Sequence, residues 1–234
     1  MSEIRESEVL DALSGVRDPE LDEPITTLGF VSHVERDEGT VRLRLRLPTY
    51  FCSPNFAYIM AEDAKRALIS LPRVERVEVV LEEFHVAREI SRGVERDEGF
   101  DRAMASFSDE TTGEDLDAVR ETFRKKAFVR RQEILCRTLL SRGTSPRELA
   151  HMRLGDVPPC PELEVYLERR RELGFDLSPS SPLLLSASGD PVPEEAVVEH
   201  LRKARLTRIS LESNGALCSD LLQARYGRKE KSSA

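Results

Sequence analysis

The sequence predicts an α/β protein: a small N-terminal domain with a three-stranded sheet covered by two helices, in the order α-β-β-α-β, followed by a mainly α-helical C-terminal domain. Apolar and basic residues alternate strictly over 41–47, as in a strand with one buried face. A helix signal begins at Ser53-Pro54, where serine suits the N-cap and proline the first helical position. Helical spacing of apolar residues dominates after residue 115.

The N-terminal elements follow one another at short intervals. Residues 6–13 have helical spacing, and strands are expected at 30–36 and 41–47, joined by a turn in which Gly39 can take a positive φ. The helix that begins at Ser53-Pro54 extends to about residue 71, and apolar residues at 77, 79 and 81 indicate a third strand. Two helices on one face of this sheet would bury its apolar side.

The polar face of the second strand carries Arg42, Arg44 and Arg46. A docking surface for an acidic client is one interpretation of this stripe. Because Glu78 and Glu82 on the neighbouring strand can pair with the arginines, we favour a solvated sheet face.

Composition divides the chain into an N-terminal domain at 1–90, a linker at 91–115 and a helical interaction domain at 116–228. The linker segment is polar and contains few large apolar residues. In the C-terminal part we expect one short helix opened by the capping box at 145–148, a short strand at 183–185, and longer helices. These longer helices are predicted at 116–142, 161–173, 193–204 and about 210–226.

Charge and hydropathy restrict the location and the partners. No apolar run approaches the length of a membrane span, and the first residues are charged, so we expect a cytoplasmic protein without a membrane partner. Of the net charge of -8, residues 1–90 carry -7, from 11 basic and 18 acidic side chains. This acidity disfavours nucleic acid as a partner of the N-terminal domain, since phosphate binding depends on lysine and arginine.

The four cysteines, Cys52, Cys136, Cys160 and Cys218, form no C-x-x-C pair. Their spacing argues against a zinc knuckle, a thioredoxin-type motif or a disulfide framework, and we expect reduced thiols. Cys52 lies between the end of a strand and the first turn of a helix, where the partial positive charge of the helix favours the thiolate that binds metal. The alternative is a buried and inert cysteine.

Several motifs resemble those of the SufT and PaaD family of iron-sulfur cluster assembly proteins. In chain order over residues 5–85 these are Asp18-Pro19-Glu20-Leu21, Leu28-Gly29-Phe30-Val31, Pro48-Thr49-Tyr50-Phe51-Cys52-Ser53-Pro54 and Val79-Val80-Leu81. By this resemblance Cys52 corresponds to the reactive cysteine of the family, Asp18 to the acid of its D-P-E motif, and Thr49 to its usual threonine. The chain departs from the pattern at Thr27, where Asp or Asn is usual, and at Ser53, where proline usually follows the cysteine.

The resemblance implies a metallochaperone-like maturation factor, not an enzyme, that assists iron-sulfur cluster or iron-centre assembly in a client. PaaD-like members serve multicomponent oxygenases, so an oxygenase accessory protein is one form of this function. Cys52 and Asp18 would bind the iron or cluster, with support from Thr49, Glu20 and His85. Because a stable cluster normally needs four ligands, binding would be transient or bridged between chains, as in a homodimer. The expected partners are the client metalloenzyme and cluster-assembly proteins.

Two C-terminal stretches, 143–157 and 182–203, resemble fragments of the tyrosine recombinase fold. Ser145 stands where the first catalytic arginine is expected, and Glu212 and Gly215 stand at the later histidine and arginine. Without these cations the domain cannot stabilise the transition state of DNA cleavage. A DNA-binding regulator with a catalytically inactive recombinase-like domain is therefore the alternative function.

Basic clusters at 124–126, 130–131 and 169–171 leave that alternative open, but acidic residues on the same helices favour a protein-interaction module. A plain interaction scaffold with no metal is the third hypothesis. An enzyme with its own substrate is least favoured, because the sequence has no Ser-His-Asp set, Gly-rich phosphate loop or His-rich cluster.

Overall fold

The structure is a computed structural model and describes residues 4–105 and 116–227. It contains two compact units: the first comprises the chain up to Ala118 together with the residues from Asn214 onward, and the second comprises Val119–Ser213. The helices and strands are α1 Glu6–Ser14, β1 Val31–Asp37, β2 Thr40–Arg46, α2 Pro54–Ile69, β3 Arg76–Glu82, α3 Ala87–Glu95, α4 Phe100–Met104, α5 Leu116–Ser141, α6 Pro146–His151, α7 Pro161–Glu172 and α8 Val197–Tyr226. No helix within these described residues is both long and apolar enough to cross a membrane.

The sheet of the first unit has the order β1-β2-β3. β1 and β2 form an antiparallel hairpin, and its turn places Glu38 at φ 36° and Gly39 at φ 86°, which is the left-handed conformation that the glycine was expected to supply. β3 pairs with β2 in parallel, so the intervening connection, which contains α2, crosses from one end of the sheet to the other. The predicted fold class is confirmed.

Alternation along the strands places one sheet face in the core of the first unit. The buried side chains of β2 and β3 are Val41, Leu43, Leu45, Val77, Val79 and Leu81, and they share this core with apolar residues of α1 and α2. On the opposite face Arg42 lies 2.7 Å from the Glu78 carboxylate, and Arg44 lies 3.9 Å from that of Glu82. Arg42 and Arg44 are thus ion-paired across the solvated face, as predicted, whereas Arg46 donates to the Gly29 carbonyl at 3.1 Å.

Residues 91–105 differ from the linker predicted there. The core of the first unit buries Val94 of α3 together with Ala103 and Met104 of α4. The two helices approach so closely that a Cβ added at Gly93 would lie 2.3 Å from the Cβ of Ala103, so only glycine fits. Close packing here uses small side chains such as Gly93 and Ala103. The linker was predicted because the segment has few large apolar residues, and small residues can pack without them. The rest of the predicted linker, 106–115, lies outside the described residues.

The second unit is mainly helical, as predicted. Its core is built around Phe128, Tyr166 and Leu183, with the Gln132 amide donating to the Leu185 carbonyl at 3.0 Å. Ser145 caps α6 through the predicted capping box with Glu148. The strand predicted at 183–185 is instead buried irregular chain with isolated bridges at Arg153–Pro182 and Leu185–Pro191.

The two helices predicted at 193–204 and 210–226 are one continuous helix, α8. Residues 205–209 contain no proline or glycine, so nothing in their sequence ends a helix between the two predictions. The last part of α8, from Asn214 to Tyr226, belongs to the first unit and not to the C-terminal domain predicted at 116–228. Leu222 and Tyr226 are buried in the core of the first unit.

Candidate functional site

Cys52 lies in a short connection between β2 and α2, residues 47–53, which we call the Cys52 loop. Leu47 anchors the start of this loop in the core, while Ser53 takes the N-cap position of α2. The Thr49 hydroxyl accepts a hydrogen bond from the Phe51 N–H at 3.2 Å and lies 3.3 Å from the Cys52 sulfur. Either the hydroxyl or the thiol can be the donor in this second contact. The structure therefore places the Thr49 hydroxyl next to the sulfur of the partly buried Cys52.

Aromatic side chains border Cys52 within the same loop. Phe51 is 78% exposed and Tyr50 is 46% exposed. His85 lies beside them, with its ring centroid 5.6 Å from that of Phe51 and its Nδ1 atom 2.8 Å from the Tyr50 carbonyl oxygen. Since a carbonyl only accepts, Nδ1 carries the proton in this hydrogen bond. His85 thus holds the backbone of the Cys52 loop, and its support of a bound metal stays a prediction.

Asp18 lies in the loop that follows α1 and is 7% exposed. The Leu21 N–H donates to its carboxylate at 2.8 Å. Burial raises the pKa of Asp18 from 3.8 to about 6; the Leu21 hydrogen bond opposes this shift, and the charge of Glu20 adds to it. A carboxyl group with this pKa can gain or lose a proton close to neutral pH, as functional carboxyl groups often do.

The end of α8 contacts both segments that carry the predicted site residues. The Asn214 amide donates to the Glu20 carboxylate at 3.0 Å. Arg225 donates to the Leu47 carbonyl at 3.2 Å and also to the Glu83 carbonyl, so it ties the start of the Cys52 loop to the chain that leaves β3. The predicted supporting residue Glu20 is therefore paired with a helix that is distant in sequence.

Cys218 lies on α8 between these contacts and is partly buried. Its pKa is raised to about 11, first by burial and then by the negative charges of Asp18, Cys52 and Glu20. Cys218 is thus an electrostatic neighbour of three of the five residues that sequence reasoning selected. No local sequence motif marks Cys218, which lies within the helix predicted at about 210–226.

Few potential metal ligands lie close together near Cys52. Across residues 4–105 and 116–227, no three side chains of His, Cys, Asp or Glu lie close enough together to hold a metal ion. Any metal at the site would therefore complete its coordination with ligands from outside this set, because iron-sulfur clusters and structural metal ions normally need four.

Comparison with known proteins identifies a family and two relatives that resemble part of this chain. The model of a family described as "Iron-sulfur cluster assembly protein" matches residues 6–79. Over 89 residues the chain is 35% identical to MJ1129 of Methanocaldococcus jannaschii, covering 38% of this chain and 92% of that protein. Over 80 residues it is 36% identical to the Fe-S protein maturation auxiliary factor YitW of Bacillus subtilis, covering 34% of this chain and 76% of YitW. No solved structure matches the chain significantly.

Proposed function

Because the chain belongs to the iron-sulfur cluster assembly protein family through its residues 6–79, we propose that it is a cytoplasmic maturation factor that helps to build an iron-sulfur cluster or iron centre in a client enzyme. In this proposal Cys52 carries the iron or cluster as cargo and Asp18 assists it. Both residues lie within the region that the family model matches.

One observation carries the proposal: Cys52 is partly exposed on a loop whose threonine hydroxyl is 3.3 Å from its sulfur. A thiol that only filled the core would need neither exposure nor a hydroxyl partner. The hydroxyl can donate to the sulfur when Cys52 binds iron as a thiolate.

The incomplete ligand set suits a carrier. A site that supplied four ligands would hold its cluster too firmly to release it, whereas one or two ligands leave coordination positions for the client. We infer that the cargo stays bound only until the client's own ligands replace those of this protein. The exposed rings of Tyr50 and Phe51 lie next to Cys52 and supply the apolar contact that a docking client needs.

The competing DNA-binding function loses support from the positions of its arginines. Arg130, Arg169 and Arg170 belong to the basic clusters noted above, and all three are buried in the second unit. Arg170 is 0% exposed and donates to Ser181 at 2.7 Å and to the Pro182 carbonyl at 3.0 Å. Guanidinium groups used in this way stabilise the core and do not reach DNA phosphates.

The test is client maturation in a host strain that lacks the gene. The strain is complemented with wild type, Cys52→Ser or Cys160→Ser, and iron is measured per polypeptide of a purified iron-sulfur client, a multicomponent oxygenase being the first to examine. We expect Cys52→Ser to give the iron content of the strain without the gene, and Cys160→Ser to restore it. Full iron content with Cys52→Ser would exclude Cys52 as the carrier.

A further inference from the structure

We propose that Cys218 is a second sulfur ligand of this site, so that Cys52 and Cys218 together hold the iron cargo within one chain. The inference rests on the proposed function, because it assumes that Cys52 carries iron. It extends the site from the segment that the family model matches, which ends at residue 79, to α8, which lies beyond that segment.

Helix geometry determines the direction in which Cys218 points. Residues four apart on a helix lie on the same face, so Asn214, Cys218 and Leu222 form one stripe along α8. At one end of this stripe Asn214 is hydrogen-bonded to Glu20. At the other end Leu222 lies in the core of the first unit. Its Cδ2 atom would lie 3.5 Å from a Cβ placed at Gly29.

Cys218 therefore lies between two contacts that hold this face of α8 against the rest of the first unit. The next turn strengthens this attachment, because Arg225 donates to the carbonyl of Leu47, the first residue of the Cys52 loop. The guanidinium group of Arg46, at the end of β2, lies 5.2 Å from the ring centroid of Tyr226. Cys52 itself packs against the same core that buries Leu222.

The chemistry of a two-sulfur site fits a carrier. Thiolates bind iron and other thiophilic cations, and two of them leave two positions of a tetrahedral ion for the ligands of a donor or a client. Each thiol releases its proton to solvent as its sulfur binds the ion, so the step needs no oxidant or reductant. Two ligands are also consistent with the finding that no three potential ligands converge among the described residues.

Cadmium titration of the full-length reduced protein tests this pair, with absorption of the thiolate-to-cadmium charge transfer as the signal. Wild type should show the absorption of two thiolates per bound ion. Cys218→Ser should show about half of it and bind cadmium at least about tenfold more weakly, because one charged ligand is lost. Cys160→Ser is the matched control and should titrate like wild type. A Cys218→Ser protein with wild-type absorption and affinity would overturn the inference.

A second measurement needs no substitution and so does not depend on folding of a variant. Dibromobimane joins two thiols only when they are close, and mass spectrometry of the treated wild-type protein should identify a cross-link between Cys52 and Cys218. If the reagent labels both thiols singly without joining them, the pair does not exist.

The two proposals fail in different ways. If Cys52→Ser supports client maturation, the proposed function fails. If Cys52→Ser abolishes maturation while Cys218→Ser neither lowers maturation nor changes cadmium binding, only the second ligand is excluded.

Discussion

Cys52 and Cys160 have similar local sequences and different surroundings. Each comes shortly before a helix that begins with proline, Pro54 of α2 and Pro161 of α7. Cys52 is partly exposed and lies beside the Thr49 hydroxyl, whereas Cys160 is 7% exposed and packs in the core of the second unit. A helix N-terminus is therefore common to both cysteines. What distinguishes them is exposure and the kind of hydrogen-bonding partner, which is the Thr49 hydroxyl for Cys52 and the Glu162 carboxylate for Cys160.

The comparison shows that a helix N-terminus does not define a site. The dipole acts on any group in the first turn, but a thiol must also be reachable by its cargo. The Cys52 loop supplies that access by exposing its two aromatic residues on one side of the cysteine. The start of α7 lacks it, because the Cys160 side chain is enclosed by apolar neighbours.

The largest expected effect is that two substitutions have opposite consequences, one mainly for function and the other mainly for stability. Cys52→Ser should reduce client iron to background and change the free energy of unfolding by about 1 kcal/mol or less, as for mild changes outside a core. Cys160→Ser should keep client iron per folded molecule but lower the free energy of unfolding by about 1–3 kcal/mol, because it places a hydroxyl in an apolar core. Urea unfolding and client iron content measure the two effects. Equal losses of stability in the two variants would contradict the difference in burial between Cys52 and Cys160.

Alkylation rates should separate the cysteines next. Burial and the charge of Glu133 raise the pKa of Cys136 from 9.0 to about 12, which lowers its thiolate fraction near pH 7 by about 1,000-fold relative to an ordinary thiol. Cys218 is also slowed, because its pKa is about 11. We expect iodoacetamide to modify Cys52 first, as followed by mass spectrometry of the folded protein over a pH series.

Two outcomes of that experiment would change the interpretation. If Cys160 reacts as fast as Cys52, the helix terminus alone explains the reactivity and the motif adds nothing. If Cys52 reacts last, it is a packing residue and its proposed role as carrier is wrong.

Asp18 makes the free energy of unfolding depend on pH, and this effect is of intermediate size. Its folded pKa of about 6 lies above the ordinary value of 3.8, so the folded state holds this proton more tightly than the unfolded state. The stabilisation is fully present below pH 4 and is lost as pH rises through 6, by about 3 kcal/mol in total. Asp18→Asn cannot ionise, so the variant should match wild type at pH 4 and be more stable at pH 7.

Urea unfolding between pH 4 and pH 7 measures this difference, with Asp11→Asn as a control because Asp11 is an exposed aspartate on α1. Asp11→Asn should follow the wild-type curve. Parallel curves for Asp18→Asn and wild type would show that Asp18 is not buried as a charge.

The smallest expected effect comes from Thr49→Val, which keeps the shape of the side chain but removes its hydroxyl. The Phe51 N–H loses its acceptor and the Cys52 sulfur loses its neighbour, so we expect a loss of about 1 kcal/mol in stability. Cys52 should also react a few-fold more slowly with iodoacetamide. Labelling of Cys160 in the same sample is the internal reference, and an unchanged ratio of the two rates would remove Thr49 from the site.

Local sequence patterns determined much of the first unit. The alternation over 41–47 predicted the buried face of β2, and Gly39 predicted the hairpin turn. Ser53-Pro54 predicted where α2 begins, and with it the loop that presents Cys52. These predictions succeed because strand alternation, turn conformation and helix capping each depend on neighbouring residues.

Only the tertiary structure decided which faces meet. The apolar stripe of α8 was readable as a helix face, but its sequence does not say that Leu222 enters the core of the first unit or that Asn214 pairs with Glu20. In the same way, the close contact at Gly93 requires knowledge of where Ala103 lies. Periodicity specifies which side of an element is apolar, whereas its partner is chosen by packing between segments far apart in the chain. For that reason the sequence identified Cys52 and Asp18 as candidates, and the fold alone brought Cys218 within range of their charges.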